Sequence, residues 1–107
     1  MCIRDRTKAV SGTNIPDQLK DLFEAILTLQ NVDECYAFFE DVCTVNELIS
    51  LAQRFEVAGM LRKKHTYNDI AEKTGASTAT ISRVNRSLSY GNDGYEMVFS
   101  RIEQTAE

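Results

Sequence analysis

Residues 66–88, TYNDIAEKTGASTATISRVNRSL, set a single glycine between two short stretches whose apolar residues have helical spacing. No other part of the chain restricts the fold so tightly. Thr66 followed by Asp69 is a helix-start pattern: the threonine hydroxyl can accept from an exposed backbone N–H, and a carboxylate suits the positive pole of the first turn. The spacing predicts a helix over about 67–74 that stops at Gly75, then a second helix of residues 78–90 opened by Ser77. Two helices joined by a short glycine-bearing turn form a helix-turn-helix, whose steric demands are specific to position. Ala71 falls where the helices cross and a larger side chain would push them apart, while Ile70 beside it can point into a core. Gly75 supplies the positive φ that the turn needs. Ile81, Val84 and Leu88 recur at i, i+3 and i+7, a stripe that holds the second helix on its neighbours.

The rest of the chain also reads as helix, since no stretch alternates apolar and polar residues over a strand's length. The expected fold class is all-α. Pro16 suits a first helical position, and Leu19, Leu22, Phe23, Ile26, Leu27 and Leu29 follow at three- and four-residue steps to about Gln30. Asn31 or Asp33 starts a shorter helix carrying Cys35, Tyr36, Phe38, Phe39 and Val42, more aromatic surface than a short helix should leave uncovered. Thr44-Val45-Asn46-Glu47 is a capping box. It opens a long helix that runs through Leu48, Phe55, Val57, Ala58 and Leu61 to the basic end Arg62-Lys63-Lys64, whose cations oppose the negative pole.

A length of 107 residues with 43% apolar content suits one domain, and one proline with no Gly/Ser-rich run leaves no sign of a linker or repeat. Residues 15–107 are expected to form it. Residues 1–14, MCIRDRTKAVSGTN, lack periodicity and are expected to be a disordered leader. MCIRDR also resembles a translated sequencing adapter, so native origin is not assumed for it.

Several function classes are disfavoured. No apolar run approaches the roughly 20 residues needed to cross a bilayer, and there is no secretory signal, so a cytoplasmic location without a membrane partner is expected. Cys2, Cys35 and Cys43 have no C-x-x-C spacing and His65 stands alone, so reduced thiols and no metal site are expected. Asp33, Glu34, Glu40 and Asp41 offer carboxylates, but helix-surface acids at such spacing are mostly solvated. No nucleophilic triad pattern or phosphate-cradling glycine loop accompanies them, so no catalytic residue is assigned.

The formal net charge of −4 hides an asymmetry. Residues 15–58 hold nine acids against Lys20 and Arg54, a balance of −7. Residues 59–90 hold Arg62, Lys63, Lys64, Lys73, Arg83 and Arg86 against Asp69 and Glu72, a balance of +4. The second stretch attracts polyanions, although such a run standing alone is usually a solvated face. Turning the second helix by about 100° per residue puts Ala79, Ser82, Arg83 and Arg86 opposite the apolar stripe, with Tyr90 beyond them. Guanidiniums among small methyl and hydroxyl groups suit the major groove of double-stranded DNA, where arginine takes guanine edges bidentately. Thr78, Thr80 and the amides near Ser77 would reach phosphates, and Lys63, Lys64 and Lys73 would extend a rim against the backbone. The rival reading is a non-enzymatic regulatory protein whose acidic half docks a partner and whose basic half binds DNA weakly or not at all.

The segment TYNDIAEKTGASTATISRVNRSL resembles the DNA-reading part of the Trp repressor superfamily. The flanking ELISLAQRFEVAGMLRKKHTY and SYGNDGYEMVFSRI are similar to its YerC/YecD group, bacterial TrpR-related proteins, so the likeness covers residues 15 to about 104. It implies a DNA-binding transcriptional regulator, expected to repress although activation is left open, built as an intertwined homodimer, with the helix of residues 78–90 entering DNA. Leu22, Phe23, Ile26, Tyr36, Phe38 and Phe39 would then lie at the dimer interface. Trp repressors seat the indole of tryptophan between two arginines, with a glycine directly after the one in the reading helix. Arg83 matches that arginine, but Val84 stands at the glycine's place and would put a branched side chain where the ring should lie. Arg54 matches the other arginine only with a one-residue slip before Gly75. No cofactor is therefore expected, and any small-molecule effector is left open.

Overall fold

The computed structural model describes residues 15–105, and the expectations for residues 1–14, Cys2 among them, lie outside this range. Six helices and no strand make up the described residues: α1 Asp17–Ile26, α2 Val32–Val42, α3 Val45–Arg62, α4 Tyr67–Thr74, α5 Thr78–Tyr90 and α6 Gly94–Thr105. The chain divides between Phe39 and Glu40 into two compact units.

In the first unit, α1 is shorter than its apolar period. Pro16 is the residue before the helix, with an extended ψ of 146°, rather than its first member. At the other end the Leu29 N–H donates to the Ile26 carbonyl and the Thr28 hydroxyl to the Ala25 carbonyl, so the chain tightens and leaves the helix although Leu27 and Leu29 keep the spacing. Asn31, not Asp33, starts α2: its Oδ1 accepts from the Glu34 N–H at 2.9 Å, and the Glu34 carboxylate accepts from the Gln30 N–H at 2.9 Å.

The second unit is organised by α3, against which α4, α5 and α6 all pack. The Thr44 hydroxyl accepts from the Glu47 N–H at 3.1 Å and the Glu47 carboxylate from the Thr44 N–H at 2.8 Å, so the expected capping box opens α3. Val57 and Ala58 of α3 meet Ile70 of α4, Ala76 of the turn, and Ile81 and Val84 of α5 in one buried cluster. Ala71, Leu88, Tyr95 and Phe99 pack around it. Helix α3 ends at Arg62, short of the expected Lys64, because Lys64 takes the left-handed conformation with φ 70°. The Lys64 N–H donates to the Leu61 carbonyl and the His65 N–H to the Met60 carbonyl, a Schellman arrangement in which glycine is the usual residue.

Helices α4 and α5 have the predicted limits. Thr66 accepts from the Asp69 N–H at 3.1 Å, Ser77 accepts from the Thr80 N–H at 3.1 Å, and Gly75 closes α4 at φ 77°. A Cβ at Gly75 would meet nothing nearer than the Gln53 amide nitrogen at 4.0 Å, so its conformation and not its crowding requires glycine. Gly75→Ala is expected to cost about 1–2 kcal/mol of stability, measured as a lower urea midpoint with unchanged m. An unshifted midpoint would show that the turn does not depend on the left-handed residue. Helix α6 has no counterpart among the helices delimited from the sequence.

Candidate nucleic-acid interface

The apolar stripe of α5 fixes which way the rest of the helix faces. Ile81 is fully buried and Val84 is 2% exposed, with Leu88 half-buried in line with them. Thr78, Ala79, Ser82, Arg83 and Arg86 are exposed, and Thr80 is half-buried. The outward face is therefore as the helical rotation placed it. Ser77 is exposed, but its hydroxyl is occupied: it accepts from the Thr80 N–H and donates to the Thr80 hydroxyl at 3.2 Å. The cap thus consumes polar groups of Ser77 and Thr80, and the helix start has the N–H groups of Thr78 and Ala79 left to offer an anion.

The turn before α5 is held by contacts that no local pattern singles out. The Gln53 amide of α3 donates to the Thr74 carbonyl at 3.1 Å, the Thr74 hydroxyl donates to the Ile70 carbonyl at 2.7 Å, and the Ala76 N–H donates to the Thr74 hydroxyl at 3.1 Å. The helix-turn-helix is thereby pinned to α3 by polar as well as apolar contacts. A threonine directly before the turn glycine is the one sequence signal, because its hydroxyl can bond back four residues.

Lys63, Lys64 and Lys73 are exposed. Lys63 and Lys73 line one groove of about 870 Å³ together with Phe55, Met60, Phe99 and Ile102, and no residue of α5 contributes to it. Arg62 is different. Its Nε and Nη2 donate to the two Glu96 carboxylate oxygens, both at 2.9 Å, and its Nη1 donates to Glu103 at 2.6 Å. The guanidinium also lies 5.3 Å from the Phe99 ring centre. Arg62 contributed to the positive balance of residues 59–90, but the carboxylates of α6 neutralise it, so the charge free to face a polyanion is smaller than the sequence count. Glu96, Phe99 and Glu103, at i, i+3 and i+7 of one helix, form the face that receives it.

The pairing holds all three groups in their charged forms. The hydrogen bonds that Arg62 donates to Glu96 and then to Glu103 push its guanidinium above its ordinary value. Bonding to Arg62, with help from the Ser100 hydroxyl, lowers Glu96 from 4.5 to about 2, and Arg62 lowers Glu103 too. A depressed carboxylate stabilises the fold above its unfolded value and stops doing so as pH falls through the folded one. The contribution of Glu96 is accordingly complete above 4.5, declines below it and is gone once pH passes about 2. A pH titration of the Glu96 side-chain carboxyl carbon by NMR is expected to show a midpoint near 2. A midpoint in the ordinary carboxylate range would contradict the pairing.

In the first unit, the residues assigned to a dimer interface are unevenly covered by their own chain. Leu22, Ile26, Phe38 and Phe39 are half-buried, whereas Phe23 is 46% and Tyr36 62% exposed. Phe38 and Phe39 meet edge to face, with ring centres 5.5 Å apart.

Residues 17–103 match the family of the Trp repressor protein. The chain belongs to that family. The protein YerC of Bacillus subtilis (strain 168) is 59% identical over 88 residues, which cover 82% of this chain and 85% of YerC. A TrpR-like protein from Eubacterium eligens ATCC 27750, known from a crystal structure, is 68% identical with a TM-score of 0.81, over 82% of this chain and 91% of that one. A candidate Trp repressor from Staphylococcus aureus is 55% identical with a TM-score of 0.81, over 83% and 89%. The all-α, Trp-repressor-like fold expected from the sequence is thus the observed one, and the family is one of regulators rather than enzymes. In this Trp repressor family member no described helix is long and apolar enough to cross a membrane. Among its described residues no cluster of three His, Cys, Asp or Glu side chains could hold a metal ion.

Proposed function

We propose that the protein is a sequence-specific DNA-binding transcriptional repressor that acts as a homodimer, with α4 and α5 as its helix-turn-helix. One observation carries this reading: α5 buries Ile81 and Val84 and leaves Arg83 and Arg86 exposed on its opposite side. The arginines would read base edges, with Ala79 and Ser82 between them small enough to let the helix approach. Membership of the Trp repressor family supports both the DNA target and the dimer. Two copies would hold their reading helices about 34 Å apart and so select a near-palindromic operator with half-sites one turn apart.

The test is selection of bound duplexes from a random pool at moderate salt. Enrichment of a palindrome is the expected result, and affinity for it should fall steeply with added salt. A pool that stays unenriched, from a folded protein, would replace this reading with that of a protein-docking regulator.

Tryptophan is not the effector in this reading. Val84 is packed in the core cluster, and Arg54 lines a shallow cavity of about 540 Å³ with Val42, Cys43, Asn46, Glu47, Ser50 and Leu51, to which Arg83 does not contribute. Calorimetry is expected to give no heat of tryptophan binding. A micromolar isotherm would refute that expectation.

A further inference from the structure

Arg62 is the last residue of α3, and Lys64, two residues on, stands in the left-handed region at φ 70°. A lysine gains nothing from that conformation by itself; it persists where its surroundings determine it. Part of the determination is local, from the bonds of the Lys64 and His65 N–H groups to the Leu61 and Met60 carbonyls. Those carbonyls belong to the same helical turn as Arg62. That turn is held from outside by the bonds of Arg62 to Glu96 and Glu103, which lie 34 and 41 residues away. The Arg62 side chain is 23% exposed, far less than the carboxylates that receive it at 56% and 62%, and Phe99 lies beneath it. Phe99 also reaches Gly59, one turn before Lys63, where a Cβ would stand 3.5 Å from the ring in ordinary contact.

We propose that Arg62 is a positioning residue for DNA binding: gripped by Glu96 and Glu103 of α6, it holds the end of α3 so that Lys63 and Lys64 meet the phosphates of the duplex at fixed places. This rests on the DNA-binding reading above. With its guanidinium charge met by two carboxylates, Arg62 acts on DNA through the two lysines. Its effect is on affinity for every sequence alike and not on base preference, because phosphate contacts carry no sequence information.

The experiment combines Arg62→Ala and Arg62→Lys with Lys64→Ala in a double-mutant cycle, measuring binding to the selected operator and to an unrelated duplex. The triple variant R62A/E96Q/E103Q accompanies them, so that released carboxylates do not repel the duplex. Arg62→Ala is expected to weaken both duplexes by about twofold to tenfold, and most of that loss should vanish when Lys64 is already alanine. Arg62→Lys keeps the charge but not the two-sided fork, so it should fall between the two and keep the fold if the alanine variant loses it. Amide hydrogen exchange on the free protein gives the second readout. Exchange at the Lys64 and His65 N–H groups should speed up by about tenfold in Arg62→Ala, with the amides of α5 unchanged. Fully additive losses, or unchanged exchange at these two amides, would overturn the proposal. If the wild type binds no duplex, the DNA-binding reading fails by itself, and the proposal falls with it whatever the exchange shows. Exchange then reports only whether the grip exists.

Discussion

Arg83→Ala and Arg86→Ala are each expected to lower operator affinity by about 1–3 kcal/mol, roughly fivefold to 150-fold, and to relax base preference at one position of each half-site. The double variant should approach the weak affinity shown for unrelated duplexes. Both side chains stand on the exposed side of α5, opposite Ile81 and Val84, so neither substitution opens a cavity in the core. Fold and oligomeric state should therefore be unchanged, which separates a reading role from a structural one. Lys64→Ala provides the contrast, because it should weaken every duplex to a similar degree and make the dependence on salt shallower. The measurement is an equilibrium titration of operator and of operators altered at single positions, at two salt concentrations. Arginine variants that keep full affinity and full base preference would remove α5 from the interface.

Ile81→Ala is expected to cost about 2–5 kcal/mol of folding free energy. Ile81 is completely buried, in a cluster that also holds Val57, Ala58, Ile70, Ala76 and Val84 and joins α3, α4 and α5. Removing its outer carbons leaves a void that helices tied at both ends cannot close. For a domain of this size, whose total stability is about 5–15 kcal/mol, that is a large fraction. Ser82→Ala, one residue away on the exposed side, should shift stability by less than about 0.5 kcal/mol. Urea unfolding at one fixed protein concentration compares the two, since association contributes to apparent stability. Equal effects at the two positions would mean that α5 is not seated by the stripe the structure shows.

These two substitutions also mark how far the sequence could be read. The inward and outward sides of α5 follow from rotation per residue once Ile81, Val84 and Leu88 are recognised as a stripe, and the structure keeps that division. The caps at Thr44, Thr66 and Ser77 were legible for the same reason: a cap is a bond between residues three apart, and both partners are visible in a short string. The early end of α1 was not, because Leu27 and Leu29 continue the spacing after the backbone has turned away from the helix. Periodicity reports where apolar residues recur, not whether the backbone bonds continue beneath them. Lys64 was hidden differently, since nothing about a lysine announces a positive φ that is usually left to glycine.

Charge was legible only as a count. The sum over residues 59–90 treats Arg62 as free, whereas its partners belong to α6, outside that stretch. The chain by itself determined the family, the all-helical class, the helix-turn-helix and the exposed arginines of α5, because spacing, caps and a turn glycine act within a few residues of one another. Only the tertiary structure decided that Arg62 is spoken for, that Gln53 secures the turn at Thr74, and that Lys63 and Lys73 share a groove with α6. Those contacts join groups 20 or more positions apart, as Gln53 and Thr74 at a separation of 21 illustrate, and packing brings such groups together where local spacing carries no record of it.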